Sequence, residues 1–192
     1  MENKNKENTP KKRVPVYLII LLAAMSVGLV FIPKVGDLSA SKSEVSKKIA
    51  SHYEAELGKL KVSSFKKEEI KTEEMKKGVL ILNFWASWCL PCLEEFPSLV
   101  KLVDEFGPKG LKVVGINSDE DEIDKNIKKT IKKYGLNFPI VKDLETKITD
   151  SFMIQAIPVS IIYHDGKVIE VSKGKKDFSS IEFKEKVASL LK

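Results

Sequence analysis

Residues 79–92 read VLILNFWASWCLPC, and they carry the strongest structural pattern in the chain. Its first seven residues, Val79–Trp85, are apolar apart from Asn83, which is typical of a strand buried on both faces of a parallel sheet. A short turn and two cysteines follow, and a helix is predicted from about Pro91 to Phe106. The stretch therefore predicts a central strand that gives way to a helix, with both cysteines where the helix starts.

The next part of the chain continues the alternation of strands and helices. Strand patterns at residues 111–117 and 138–142 flank a helical pattern at residues 122–134, which ends before Gly135. Such alternation is typical of a parallel βαβ core.

A hairpin and a helix close the chain. Strand patterns at residues 159–164 and 167–172 lie on either side of Asp165-Gly166, a dipeptide that favours a tight β-turn. A final helix is predicted over residues 180–191. The predicted order is thus βαβα with a short third strand, then a hairpin, then a helix.

The composition indicates one globular domain. With 192 residues, of which 43% are hydrophobic and 31% charged, the chain can bury one substantial core. Its net charge of +6 comes equally from two regions. Residues 1–13 carry five basic and two acidic residues, and residues 34–192 carry 28 basic and 25 acidic residues. The part expected to fold is only mildly basic and lacks a patterned basic and aromatic face, which argues against a nucleic-acid partner.

The N-terminal segment predicts a membrane anchor. No charged residue occurs from Val14 to Pro33, and a run of basic residues closes the preceding arm. About 19 apolar residues span roughly 28 Å as a helix, close to the hydrocarbon thickness of a bilayer. We expect residues 1–13 to form a cytoplasmic basic arm, residues 14–33 a single-pass transmembrane signal anchor, and the rest to be extracytoplasmic. A cleaved signal peptide is the alternative, although residues 38–40 match a cleavage site poorly.

Residues 34–64 are expected to form a tether with one amphipathic helix. The segment is rich in Lys, Glu and Ser, and apolar residues recur in it at steps of three and four: Val45, Ile49, Tyr53, Leu57 and Leu60. The helix is predicted over about residues 42–57, with a capping box that begins at Ser41 and a stop at Gly58. Its apolar face can pack on the following domain, expected over residues 65–192, or dock a partner helix.

Cys89 and Cys92 carry the predicted chemistry. A cysteine at the N-terminus of a helix lies near unpaired backbone N–H groups and the positive end of the helix dipole, which stabilise its thiolate. Cys89 is therefore the predicted nucleophile, and Cys92, one turn further on, can attack the resulting mixed disulfide. Pro91 suits the first turn of the helix, where its missing N–H is no loss. Trp88 is expected to shield the pair and to offer substrates an apolar contact.

The same cysteine spacing also occurs in metal sites. A structural zinc site needs two more ligands, and only His52 and His164, which are far apart in the sequence, are available. A copper carrier that uses Cys89 and Cys92 alone is a second alternative, since thiolates bind Cu(I). We expect no metal and no cofactor, with the cysteine pair itself as the redox group.

The sequence from Asn83 to Cys92 resembles the active-site segment of thioredoxin-fold proteins. Over residues 65–192 the chain is similar to the membrane-tethered TlpA/ResA-like thiol-disulfide oxidoreductases. Four further features agree: the N-terminal anchor, Glu95-Phe96-Pro97, an additional helix and strand at about residues 121–142, and Ile157-Pro158 before the hairpin.

This resemblance implies a thioredoxin-like α/β fold, with a central mixed β-sheet flanked by helices. It also implies a cis peptide bond before Pro158, with Ile157 and Pro158 lying against the cysteines to receive the substrate chain. Thioredoxins carry a buried Asp at the position of Asn83. In this family the resemblance suggests Glu95, one turn after Cys92, as the residue that tunes the pKa values of the cysteines.

Three points stay open at this level. On charge pattern alone, Glu95 is equally a solvated helix residue. Val159 stands where the family commonly has Thr, which leaves substrate preference undecided. The N-terminal hairpin that the family usually has is not evident in residues 60–78.

The expected location and chemistry together imply a function. An exported domain works where disulfides persist, so an enzyme that reduces them there needs electrons from a donor. The resemblance implies a reductase of disulfides in exported proteins, with apocytochrome c as the leading substrate and a transmembrane thiol carrier as donor. A disulfide oxidant or isomerase is the catalytic alternative, because the direction depends on the reduction potential. A copper carrier or an anchored scaffold is the non-catalytic one.

Overall fold

The computed structural model describes Tyr17 and residues 35–192. The predicted basic arm lies outside the described residues, and so does the predicted membrane span apart from Tyr17. None of the helices in the described part of the chain is long and apolar enough to cross a membrane. The chain divides between Val45 and Ser46, and the sheet belongs to the unit of residues 46–192.

Seven strands occur among the described residues, and five of them form a mixed sheet. In chain order they are β1 (Val62–Ser63), β2 (Glu69–Ile70), β3 (Val79–Trp85), β4 (Lys112–Asn117), β5 (Ile140–Lys142), β6 (Val159–His164) and β7 (Lys167–Lys173). The sheet has the order β5-β4-β3-β6-β7. β4 pairs in parallel with both β3 and β5, whereas β6 is antiparallel to both β3 and β7.

Helices connect the strands and cover the sheet. They are α1 (Val35–Lys59), α2 (Thr72–Met75), α3 (Leu90–Phe106), α4 (Ile123–Tyr134), α5 (Lys147–Ser151) and α6 (Ile181–Leu190). The central mixed sheet flanked by helices is therefore confirmed. Apart from α1, the longer predicted elements agree with the structure to within one or two residues, whereas α2 and α5 are too short to give a periodic pattern.

Side chains of β3 alternate between two covered faces of the sheet. One face, here the α3 face, packs with residues of α3, α4 and α6 and takes these members of β3: Val79, Ile81 and Trp85. The other, the α1 face, packs with residues of α1 and with Phe152, and takes these: Leu80, Leu82 and Phe84. β3 is buried along its whole length, as its apolar run predicts.

α1 differs from the predicted helix at its start. It begins at Val35, so Ser41 lies inside the helix and is not its N-cap. No proline lies between residue 35 and Lys59, so the helix can begin ahead of Ser41. Tyr53 and Leu57 are buried in the core of the α1 face, so this part of the helix packs on the sheet and the folded unit starts ahead of residue 65.

A hairpin is present in the segment where none was evident from the sequence. β1 and β2 pair antiparallel across a turn at residues 64–68, and the N–H of Phe65 donates to the carbonyl of Ile140 in β5. Two-residue strands carry no alternating pattern, which is why the sequence does not reveal them. The hairpin thus attaches to the edge strand of the sheet.

Candidate active site

β3 delivers the two cysteines to the start of α3. A turn of three residues after Trp85 leads to Cys89, which is the N-cap of α3. The backbone N–H of Cys92 donates to the sulfur of Cys89 (3.3 Å), and that of Leu93 donates to the Cys89 carbonyl (3.1 Å). Pro91, the second residue of the helix, has no N–H that needs a partner there. The Cys89 sulfur therefore lies at the positive end of the helix dipole, where a thiolate is stabilised.

The two cysteines differ in their access to solvent. They are joined as a disulfide, with their Cα atoms 5.3 Å apart. Cys89 keeps 5% of its surface exposed, whereas Cys92 has none. A partner can therefore reach the sulfur of Cys89 first, and Cys92 is held within bonding reach behind it. This is the arrangement of a nucleophile and a resolving cysteine.

Trp88 and Leu90 lie on either side of Cys89 in the sequence, and both are exposed. Their exposed fractions are 71% and 64%. Trp88 is thus largely open to solvent beside Cys89, and its shielding of the pair stays a prediction. Exposed apolar side chains next to a reactive residue give a partner protein a surface to bind.

Pro158 lies at the same edge of the sheet as the cysteines. The Ile157–Pro158 peptide bond is cis, as the resemblance implies. Because Phe84 pairs with Val159 across β3 and β6, Pro158 stands next to Trp85, one position nearer the cysteine turn. Pro158 is buried, and Ile157 packs against the cluster that includes both cysteines.

A buried polar cluster begins one turn after Cys92. Glu95 is only 2% exposed, so the alternative of a solvated helix residue is wrong. Its carboxylate accepts hydrogen bonds from Nδ2 of Asn83 (2.7 Å) and from the backbone N–H of Lys176 (3.1 Å). The same Asn83 amide also donates to Oγ of Ser160 (2.9 Å). The cluster therefore joins α3 to two strands and to the loop after β7.

Burial changes the acidity of this carboxyl group. Desolvation raises the pKa of Glu95 from 4.5 to about 7, against the hydrogen bonds from Asn83 and Lys176, which lower it. A carboxyl group with that pKa is divided between its protonated and ionised forms near neutral pH, so it can accept or release a proton there. Asn83 cannot titrate, and its amide holds the carboxylate in position.

A second buried carboxylate, which the sequence analysis missed, fixes the turn before Cys89. Asp119 follows β4 and is 2% exposed. Its Oδ1 accepts from the backbone N–H (2.8 Å) and the hydroxyl (3.0 Å) of Ser87, and its Oδ2 accepts from Nδ2 of Asn117 (3.0 Å). Its position in the sequence could have indicated it. Asp119 follows a strand that is parallel to β3, and polar residues after adjacent parallel strands meet at the edge of the sheet where sites form.

The two histidines are bound to other parts of the chain. Nε2 of His52 lies 2.8 Å from the carbonyl of Ser151, and Nε2 of His164 lies 3.6 Å from Oδ2 of Asp165. Within the described residues, no group of three or more His, Cys, Asp or Glu side chains could hold a metal ion.

Comparison with known sequences finds relatives among redox proteins. The AhpC/TSA family matches residues 47–172. Thiol-disulfide oxidoreductase ResA of Bacillus cereus (strain ZK) is 33% identical over 122 residues, which are 63% of this chain and 69% of that protein. ResA of a second Bacillus cereus strain (ATCC 10987 / NRS 248) is 29% identical over 174 residues, 90% of this chain and 95% of that protein.

Solved structures give the same result. StoA from Bacillus subtilis has a TM-score of 0.55 and 27% identity, over 66% of this chain and 93% of that one. A secreted Mycobacterium tuberculosis disulfide oxidoreductase homologous to E. coli DsbE has a TM-score of 0.60 over 71% of this chain and 98% of that one. Its 21% identity supports the fold alone.

A cysteine pair at the N-terminus of the helix after the central strand of a mixed sheet, together with these relatives, defines a thiol-disulfide oxidoreductase with a thioredoxin-like fold. The family match covers most of the folded unit. The chain belongs to the AhpC/TSA family, and within the thioredoxin superfamily it is similar to ResA.

Proposed function

We propose that the protein is a membrane-tethered extracytoplasmic reductase of disulfides in exported proteins. The observation that carries the proposal is the position of Cys89 at the N-cap of α3, with a buried Cys92 one turn behind it. The similarity to ResA and the uncharged stretch of residues 14–33 support the exported location and the tether.

In the first step, the Cys89 thiolate attacks one sulfur of a substrate disulfide. A bond forms between Cys89 Sγ and that sulfur, the substrate S–S bond breaks, and the other substrate sulfur leaves as a thiolate that takes up a proton. The α3 dipole and the N–H of Cys92 stabilise the attacking anion, which makes it available at neutral pH.

In the second step, Cys92 attacks Cys89 Sγ. The mixed disulfide breaks, the second substrate thiol is released, and the Cys89–Cys92 disulfide forms, so two electrons have passed from the pair to the substrate. Cys92 must lose its proton first. Glu95, three residues further along α3 and with a pKa raised to about 7 by burial, is the proposed acceptor.

The substrate chain is proposed to bind between two apolar segments at this edge of the sheet. Trp88 supplies the exposed contact beside Cys89. Ile157 and Pro158 supply the facing segment, where an extended substrate chain can pair with the backbone. Pro91 shapes the first turn of α3 between the two cysteines.

The cycle needs a donor to reduce the Cys89–Cys92 disulfide again. We propose a transmembrane thiol carrier as the donor and apocytochrome c as the leading substrate, with no metal or cofactor besides the cysteine pair. A tether at the cell membrane keeps the enzyme near both. In cells lacking such a carrier, thiol trapping should find the pair oxidised; a pair that stays reduced there contradicts the donor.

Activity and direction are tested on the purified chain. The parent should reduce insulin disulfides with a thiol donor, and Cys89→Ser should abolish this. Cys92→Ser should instead accumulate the mixed disulfide, visible as a covalent adduct. Equilibration with glutathione fixes the direction, since a strongly oxidising potential would make the protein an oxidant or isomerase. If the reduced protein binds copper stoichiometrically and does not reduce insulin, it is a metal carrier and not an enzyme.

A further inference from the structure

A basic groove lies between the hairpin, the start of α4 and the end of β5. Its volume is about 590 Å³. The residues that line it are Ser63, Ser64, Phe65, Lys66, Lys67, Asp124, Lys128, Lys142 and Leu144. Four ammonium groups thus face one carboxylate.

Three of these lysines are available to a ligand. Lys142 pairs with Asp124 (3.0 Å), which uses the only carboxylate among the described residues that line the groove. Lys66, Lys67 and Lys128 are exposed, and none of them forms an ion pair with another described residue. Leu144, 54% exposed, adds an apolar contact.

The helix and strand beside this groove are basic. Residues 122–142 carry six Lys against one Glu and one Asp, a net +4. Three acidic residues, Asp119, Glu120 and Asp121, directly precede this stretch, so the basic character belongs to the lysines of α4 and β5 and not to the loop before them. α4 buries Ile127 and presents its lysines to solvent. Exposed lysines without an ion-pair partner attract an oppositely charged partner.

The register of the sheet brings the groove close to the redox pair. Lys142 of β5 pairs with Asn117 of β4, which pairs with Trp85 at the end of β3. Two strand spacings separate Lys142 from Trp85, about 10 Å. Because Cys89 follows Trp85 by four residues, a protein whose disulfide meets Cys89 can extend to the groove.

We propose that this groove binds an acidic segment of the disulfide-bearing protein partner, next to the disulfide that is exchanged. The inference rests on the proposed function and names the chemistry of its partner. A groove with three unpaired ammonium groups and an apolar side chain fits an extended chain of Asp or Glu with an occasional apolar residue.

The test measures binding and turnover separately. A fluorescent peptide of alternating Glu and Leu, without cysteine, is titrated into the full chain and into Lys66→Glu/Lys67→Glu/Lys128→Glu. Lys47→Glu/Lys48→Glu, with exposed lysines of α1 on the opposite face of the sheet, is the charge control. The groove variant should lose about tenfold in affinity, the control should match the parent, and salt should weaken parental binding.

A disulfide placed in the same peptide then tests the link to exchange. A second disulfide peptide, in which Gln replaces every Glu, is the comparison substrate. The parent should reduce the Glu peptide with a lower KM than the Gln peptide and with a similar kcat. The groove variant should show no such difference in KM. Equal binding of both peptides by the parent overturns the proposal. The proposal is also overturned if the parent shows no peptide preference but binds phosphatidylglycerol vesicles, and the groove variant loses that vesicle binding. That result would assign the surface to lipid. A peptide that binds but is never reduced contradicts the proposed function and leaves the groove assignment standing.

Discussion

The two faces of the sheet are built from the same strands but differ in kind. The α1 face is apolar at β3, where the ring of Phe84 packs against that of Phe152 with centroids 5.5 Å apart. The α3 face holds the cysteines and the cluster of Asn83 and Glu95, whose polar groups are almost completely shielded from water. Both faces therefore pack apolar cores, and the α3 face in addition carries polar groups that cost free energy to bury.

The difference begins at a single position in β3. Asn83 is the polar interruption of an otherwise apolar strand, and the alternation of side chains directs it to the α3 face. There its amide binds Glu95 from the helix that starts at Cys89. Asn83 thus places a buried polar group of β3 on the side where the redox pair lies. Mutations on the two faces should separate stability from chemistry.

The largest effect is expected from Phe84→Ala on the α1 face. Removal of a fully buried ring that packs on Phe152 should lower the free energy of unfolding by about 3–5 kcal/mol. Urea unfolding measures this loss. The pH profile of Cys89 alkylation should stay that of the parent wherever the variant is folded. A shifted profile would show that the two faces are coupled.

Glu95 should make stability depend on pH. Its folded pKa of about 7 exceeds its ordinary value of 4.5, so the folded protein holds a proton that the unfolded chain has released. The stabilisation is fully present below pH 4.5 and is lost as pH rises to about 7, by about 3 kcal/mol. Unfolding measured across this window should show the slope in the parent.

Glu95→Gln should remove that slope, because the amide does not titrate. The new NH₂ group also meets the N–H of Lys176, which adds a cost that does not vary with pH. Glu94→Gln is the matched control, since Glu94 is an exposed neighbour that pairs with Lys175. If the slope persists in Glu95→Gln, another group is responsible for it.

Asp119→Ala is expected to lower the free energy of unfolding by about 2 kcal/mol, because the N–H of Ser87 and the amide of Asn117 lose their acceptor. Release of the turn should also slow alkylation of Cys89. Asp143→Ala is the control: Asp143 is equally buried and binds the N–H groups of Ile148 and Thr149 instead. If Cys89 is alkylated at the same rate in both variants and their stabilities are equal, Asp119 does not position the turn before Cys89.

The sequence predicts the elements that carry strong local patterns. β3 is readable because seven consecutive residues are buried, and the start of α3 because cysteines and a proline stand at fixed positions. The hairpin of β1 and β2 is not readable, since two-residue strands depend on their tertiary attachment to β5.

The site divides in the same way. Cys89 and Cys92 follow from their spacing and from their position where the predicted strand gives way to a helix. The contact of Glu95 with Asn83 joins residues twelve apart on a helix and a strand, so it depends on how the two elements pack. Asp119 reaches Ser87 across 32 residues, which a single sequence cannot reveal.

The smallest effect tests the edge of the polar cluster. Ser160→Ala removes one of the two acceptors of the Asn83 amide and leaves the other, Glu95, in place. A buried donor that loses one neutral acceptor costs about 1 kcal/mol in the free energy of unfolding. Ser172 pairs with Ser160 across β6 and β7 but is only partly buried, so Ser172→Ala should change stability by less than about 0.5 kcal/mol. Because Ser160 touches Glu95 only through Asn83, the pH window of unfolding should keep its width in both variants. If the pH range over which stability changes becomes narrower in Ser160→Ala alone, then Ser160 in β6 also affects the titration of Glu95.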